Sequence, residues 1–181
     1  MKIRATHLAA LLAMLVVSCA TIARITPTPM PDQRPDDFSV LYEWSEGSLP
    51  PPYHYEYSIT IGPGPTGQVV MIPDYPSDTT PRWTEPFPVS TPELDGLYAT
   101  LRDGGMWSTA WEAMQDPPVG GSSDSLTATA FGNTAEVPSF VVTGQTDAAE
   151  AAAAAVRALV PQEVWDRLET QRQKYQEEHS Q

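Results

Sequence analysis

Two segments of alternating polarity, joined by a proline turn, restrict the fold of this chain more than any other feature in it. In the first, Phe38, Val40, Tyr42 and Trp44 alternate with Ser39, Leu41, Glu43 and Ser45. In the second, Tyr53, Tyr55, Tyr57, Ile59 and Ile61 alternate with His54, Glu56, Ser58 and Thr60. A period of two marks a strand with one face buried and the other wet. Gly47-Ser48-Leu49-Pro50-Pro51-Pro52 lies between them, so the pair reads as an antiparallel hairpin. A register pairing Trp44 with Tyr53 sets Tyr42 opposite Tyr55, Val40 opposite Tyr57 and Phe38 opposite Ile59. The same register puts Glu43 opposite His54 on the wet face, as an ordinary surface pair. A slip by one residue would bury the polar set, so the faces are strongly specified.

The rest of the chain supplies partners for that hairpin. Gly62 to Gly67 is a turn, and Gln68 to Ile72 a third strand. Trp83 to Val89 contains Pro86 and Pro88, which cannot donate to a ladder, so it reads as an edge strand. Ser90-Thr91-Pro92-Glu93 has the spacing of a capping box, and Leu94, Leu97, Tyr98 and Leu101 follow at helical intervals as far as Gly104-Gly105. Trp107 and Trp111 are spaced to share a helical turn. Leu126 to Ala130 and Ala135 to Val137 flank Gly132-Asn133 as a second hairpin, in which Ala135 and Val137 face Ala130 and Ala128. A helix capped by Thr146 runs to Leu159. Another opens at Pro161, with Val164, Trp165, Leu168 and Tyr175 on one face and Glu163 paired with Arg167. Strands, helix, strands, helices is an α+β order: a twisted antiparallel sheet of two hairpins plus edge strands, with helices packed on one face.

The N-terminus reads differently. Lys2 and Arg4 precede an apolar run from Leu8 to Val17, which is too short for a comfortable membrane span. The run ends in Ser18-Cys19, and Cys19 is the only cysteine in the chain. Val16-Val17-Ser18-Cys19 resembles the lipobox of bacterial lipoprotein precursors, with Val16 where Leu is commoner. The resemblance covers only the leader. It implies cleavage before Cys19 and attachment of diacylglycerol to its sulfur. At ~0.8 kcal/mol per buried methylene, two or three acyl chains would hold a soluble domain at a membrane. Ala20 rather than Asp after the cysteine implies the outer membrane where the host has one. Pro27, Pro29, Pro31 and Pro35 then favour extended chain. The expected organisation is a signal peptide at 1–18, a Thr/Pro-rich tether at 19–36, a single α+β domain at 37–176 and a frayed end at 177–181.

Charge and residue supply narrow the function. The formal charge is −13, and losing Lys2 and Arg4 with the leader makes the chain more acidic still. Such a surface repels phosphate backbones, so no nucleic-acid partner is expected. A lone cysteine permits no internal disulfide. With His7 in the leader and His179 near the end, His54 is alone in the body, so neither a metal centre nor a cofactor is expected. Ser122 in Gly120-Gly121-Ser122-Ser123-Asp124 is no nucleophile elbow. Carboxylates are abundant, but no catalytic pair stands out. The expectation is a lipid-anchored extracytoplasmic envelope protein, a binding or protein-interaction module. Its partners would be the membrane, through acyl chains on Cys19, and an envelope protein or a glycan. The candidate surface is the connection from Trp44 to Tyr53, with Leu49 and Pro51, together with the 117–125 loop carrying Val119 and Ser122. The alternative is an envelope hydrolase with a carboxylate-based site.

Overall fold

The computed structural model of the protein describes residues 29–180. The leader, Cys19 and the tether as far as Thr28 lie outside the described residues. The sheet has six strands: β1 (Ser39–Ser45), β2 (Glu56–Ile61), β3 (Thr66–Ile72), β4 (Trp83–Pro88), β5 (Ser123–Ala130) and β6 (Asn133–Val137). Every pairing is antiparallel, in the order β4-β3-β2-β1-β5-β6. The described residues also form three α-helices: α1 (Thr91–Asp103), α2 (Thr146–Arg157) and α3 (Gln162–His179). The fold is α+β.

Alternation decides which face is covered. Val40, Tyr42, Ile59, Ile61, Val69, Leu126 and Ala128 are buried on one face. They form a single core with Leu94, Leu97, Tyr98 and Leu101 of α1, Ala152, Ala153 and Val156 of α2, and Val164 and Leu168 of α3. Among the described residues no helix packs on the other face. Its residues on the central strands are Ser39, Leu41, Glu43 and Ser45 on β1, and Ser123, Ser125, Thr127 and Thr129 on β5.

The faces follow the alternation, but the register of the first hairpin differs from expectation. Trp44 pairs with Tyr57, Tyr42 with Ile59 and Val40 with Ile61, a shift of four residues. An even shift keeps every side chain on its face, so alternation cannot detect it. The cause lies in the connection. His54 is withdrawn from the pleat and only 4% exposed, so it is no surface partner of Glu43, which pairs with Ser58 instead. The second hairpin is shifted by two: Ala128 faces Ala135 and Leu126 faces Val137. Its turn is Phe131-Gly132, both at positive φ, +53° and +70°. The Asp37 carboxylate accepts the N–H of Phe131 at 2.9 Å and of Gly132 at 2.6 Å, which stabilises this turn.

Other elements fall as their chemistry dictates. The capping box at Ser90 and Glu93 is formed, and β4 with its prolines is an edge. Trp107 and Trp111 share no helix; the chain turns after Gly105, and the Trp111 indole donates to the Met106 carbonyl. A single 3-10 turn at Thr143–Gln145 precedes α2, and Thr146 is its first residue rather than its cap. Arg167 reaches Glu85 on β4, not Glu163. Part of the expected tether is docked: Arg34 pairs with Asp95, and the Pro31 carbonyl accepts the Tyr98 hydroxyl. At the other terminus α3 stays helical through His179, beyond the expected point of fraying.

Candidate functional site

Antiparallel pairing gives the sheet two unlike ends. The chain enters at one end, where Asp37 grips the Phe131-Gly132 turn and the 62–65 turn joins β2 to β3. At the other end Ser45 pairs with both Glu56 and Ser123, and Glu56 pairs with Ile72. The long connections at 46–55 and 73–82, and the loop leading into β5, therefore gather at the end away from the incoming chain. Loops on a rigid sheet are where binding groups can vary without disturbing the core.

The first of these loops is organised around His54. Its Nδ1 lies 3.3 Å from the Gly47 carbonyl and its Nε2 3.1 Å from the Glu56 carboxylate. Its ring is stacked on Tyr75 at 3.9 Å between centroids, with only 3° between planes. The Tyr75 hydroxyl donates to the Leu49 carbonyl at 2.9 Å. These contacts tie the 46–55 and 73–82 connections together. They also leave large apolar groups in solvent: Leu49 is 42% exposed, Tyr53 49% and Tyr75 43%.

The expected surface residues are placed unequally. Leu49, Pro51 and Tyr53 are exposed on the first loop, and Val119 and Ser122 on the loop before β5. The two loops meet: a Cβ on Gly47 would stand 2.5 Å from the Gly121 carbonyl oxygen. Trp44 is different. It is half-buried on the covered face, its ring 5.1 Å from Tyr57 and 4.8 Å from Tyr55. Beneath it lies a polar core network, in which the buried Tyr42 hydroxyl donates to Asp124 at 2.9 Å and accepts from Arg157. Burial, then the neighbouring Tyr57 and Asp124, hold the Tyr42 phenol far above its ordinary value. Cys19 lies outside the described residues.

A hollow of about 410 Å³ that no motif in the sequence marks lies beside these loops, on the uncovered face of the sheet. Its floor is Glu43 and Ser45 of β1, Glu56 and Ser58 of β2, Val70 and Ile72 of β3, and Ser123 and Ser125 of β5. Pro76 and Arg82 of the 73–82 connection stand at one side and Ser139 at another. Small side chains on three adjacent strands make the depression. The signal was present in the sequence as serines at alternate positions, but a row of serines also describes a plain wet face. The Ser45 and Ser123 hydroxyls lie 3.0 Å apart, and Glu43 belongs to no ion pair among the described residues. A second cleft lies between α3 and the sheet, lined by Tyr55, Tyr57 and Trp165, but its polar groups are already engaged. Glu169 binds Arg172, and Asp166 binds Gln162.

Among the described residues no cluster of His, Cys, Asp and Glu could hold a metal ion, and no helix is long and apolar enough to cross a membrane. A scan against models of known protein families gives no match, and a search of curated proteins finds none that this chain resembles.

Proposed function

We propose that this chain is a lipid-anchored binding module of the bacterial cell envelope, held at a membrane through Cys19 and making contact through the loop end of its sheet. The anchor is supported by the lipobox-like sequence and the position of the lone cysteine. The contact surface is supported chiefly by one observation: Tyr75 is locked flat on a buried histidine, yet it and its neighbours Leu49 and Tyr53 remain broadly exposed. Exposed apolar groups on a rigid support suit recognition, because little side-chain freedom is lost on binding. The test is capture from living cells by chemical crosslinking, followed by fractionation. The intact protein is expected in the membrane fraction with one dominant envelope component attached. Cys19→Ala should release it to the soluble fraction, and Leu49→Ala with Tyr53→Ala should lose the component while staying in the membrane. Membrane retention of Cys19→Ala would defeat the anchor, and capture unaffected by the double substitution would defeat the surface.

A second reading has its own observation. Glu43 and Glu56, on adjacent strands, line one hollow, and two carboxylates around a bond are the equipment of glycoside hydrolysis. Shortening of an oligosaccharide by the purified protein, abolished in Glu43→Gln, would establish that reading over simple binding.

A further inference from the structure

We infer that the hollow on the uncovered face binds a saccharide that carries no negative charge. This rests on the reading of the chain as a binding module and names the ligand for that module. Three features of the hollow converge on it. Its volume of about 410 Å³ lies within the range of small-ligand sites. Its floor, flanked on β3 by the apolar Val70 and Ile72, carries hydroxyl groups and carboxylates, with serines from three strands around Glu43. Such groups accept and donate hydrogen bonds at many angles, which suits a ligand covered in hydroxyls. A carboxylate can also accept from two neighbouring hydroxyls at once, and Glu43 has no ion-pair partner among the described residues to compete for it.

The third feature is the ring of Tyr75, which does not line the hollow itself but adjoins it through its chain neighbour and its stacking partner. Tyr75 precedes Pro76 in the wall, and His54, on which it stacks, is bound to Glu56 in the floor. One face of the ring is covered by His54, and the ring remains 43% exposed. A flat apolar surface fixed beside a polar trough matches the two-sided character of a sugar ring, with C–H groups on its faces and hydroxyls around its edge. Charge sets the sign. Among the described residues that line the hollow, Arg82 is the one Lys or Arg beside Glu43 and Glu56, and the whole chain stands at −13, so anionic sugars are repelled. A basic peptide fits less well, because Arg82 stands in the wall and His54 already engages Glu56.

The test is calorimetric titration of the full-length protein in a detergent without a sugar headgroup. The probes are chitotetraose, maltotetraose, tetragalacturonate and tetralysine. Saturable binding of chitotetraose or maltotetraose is expected, with none of tetragalacturonate. Ser58→Trp, which fills the floor, and Tyr75→Ala should each weaken it by about tenfold or more, the equivalent of roughly 1.4 kcal/mol. Glu43→Gln alters an exposed, unpaired side chain and so tests the floor without endangering the fold; it too should weaken binding. Undiminished affinity in all three variants would overturn the inference. So would binding of tetralysine alone or of tetragalacturonate as tightly as the neutral sugars. If no saccharide binds while capture in cells still depends on Leu49 and Tyr53, the saccharide is refuted and the binding module survives. If both fail, both readings fall.

Discussion

Replacing Gly47 by alanine tests how the loop end is assembled, because the new methyl group would have no room. It would stand 2.5 Å from the Gly121 carbonyl oxygen, 2.7 Å from its nitrogen and 2.8 Å from its carbonyl carbon, all backbone atoms. Neither loop can retreat freely. Two residues before Gly47, Ser45 is paired with Ser123, which is itself two residues after Gly121. Relief of the clash must therefore open the last rung of the β1–β5 ladder and part the two serine hydroxyls, 3.0 Å apart. Overpacking of this kind costs about 1–3 kcal/mol. A gain of roughly 0.4–1 kcal/mol from a stiffer unfolded chain offsets part of it. The expected net loss is centred on about 1.3 kcal/mol, which moves a urea midpoint down by about 0.7 M at a typical slope of about 2 kcal/mol/M. Gly96→Ala is the matched control. Nothing lies within 4 Å of its added carbon on the exposed side of α1, so it should stabilise by about 0.5–1 kcal/mol. A Gly47→Ala protein as stable as the Gly96→Ala control would refute the contact between the two loops.

Tyr42→Phe removes the hydroxyl that links Asp124 and Arg157. It should cost about 1–2 kcal/mol, the low side for bonds to charged groups because both partners are part-exposed to water, and an unchanged thermal midpoint would contradict the network. Phe131→Asn should raise stability by about 0.5–1 kcal/mol, since asparagine tolerates the left-handed backbone and Asn-Gly suits this turn; a lower midpoint would mean the ring's contact with Tyr98 matters more. Hydrogen bonds from the Ser90 hydroxyl and then the Ser90 backbone hold Glu93 below its ordinary value, and Arg172 does the same for Glu169. Their stabilisation is complete above the ordinary carboxylate range and is lost as pH falls through the depressed values, so the urea midpoint should drop on acidification and less steeply in Glu93→Gln. An equal slope in that variant would remove Glu93 from the account.

The parts of the fold that were legible are those that a period decides. Val40, Tyr42, Ile59 and Ile61 lie on the covered face as their alternation requires, and Leu94, Leu97, Tyr98 and Leu101 on the buried stripe of α1. Registers were not legible, because shifts of two or four residues leave every face unchanged. What fixes them is non-local: the bonds and stack that draw His54 inward, and the Asp37 carboxylate that selects Phe131-Gly132 as the turn. The same holds for Arg167, whose partner Glu85 lies on a distant strand rather than one helical turn away. At the candidate site, Leu49 and Val119 could be read as exposed from their proline- and glycine-rich surroundings, whereas Tyr53, which continues the alternation of the core tyrosines, lies in the loop ahead of β2 and is exposed. Tyr75 could not, because its importance comes from a contact with a residue far away in sequence. Nor could the hollow, since it takes three strands in register to bring Ser58, Glu43 and Ser125 side by side.

The most direct test of the account compares the two ends of the sheet in living cells. A photo-crosslinking residue at position 53 would probe the loop end, and the same residue at position 134, beside the Phe131-Gly132 turn, would probe the end where the chain enters. Both positions are exposed, so neither substitution disturbs the core. The account predicts a discrete adduct from position 53 and little or none from position 134. Equal adducts from both positions, or an adduct from position 134 alone, would contradict the assignment of the loop end as the binding surface.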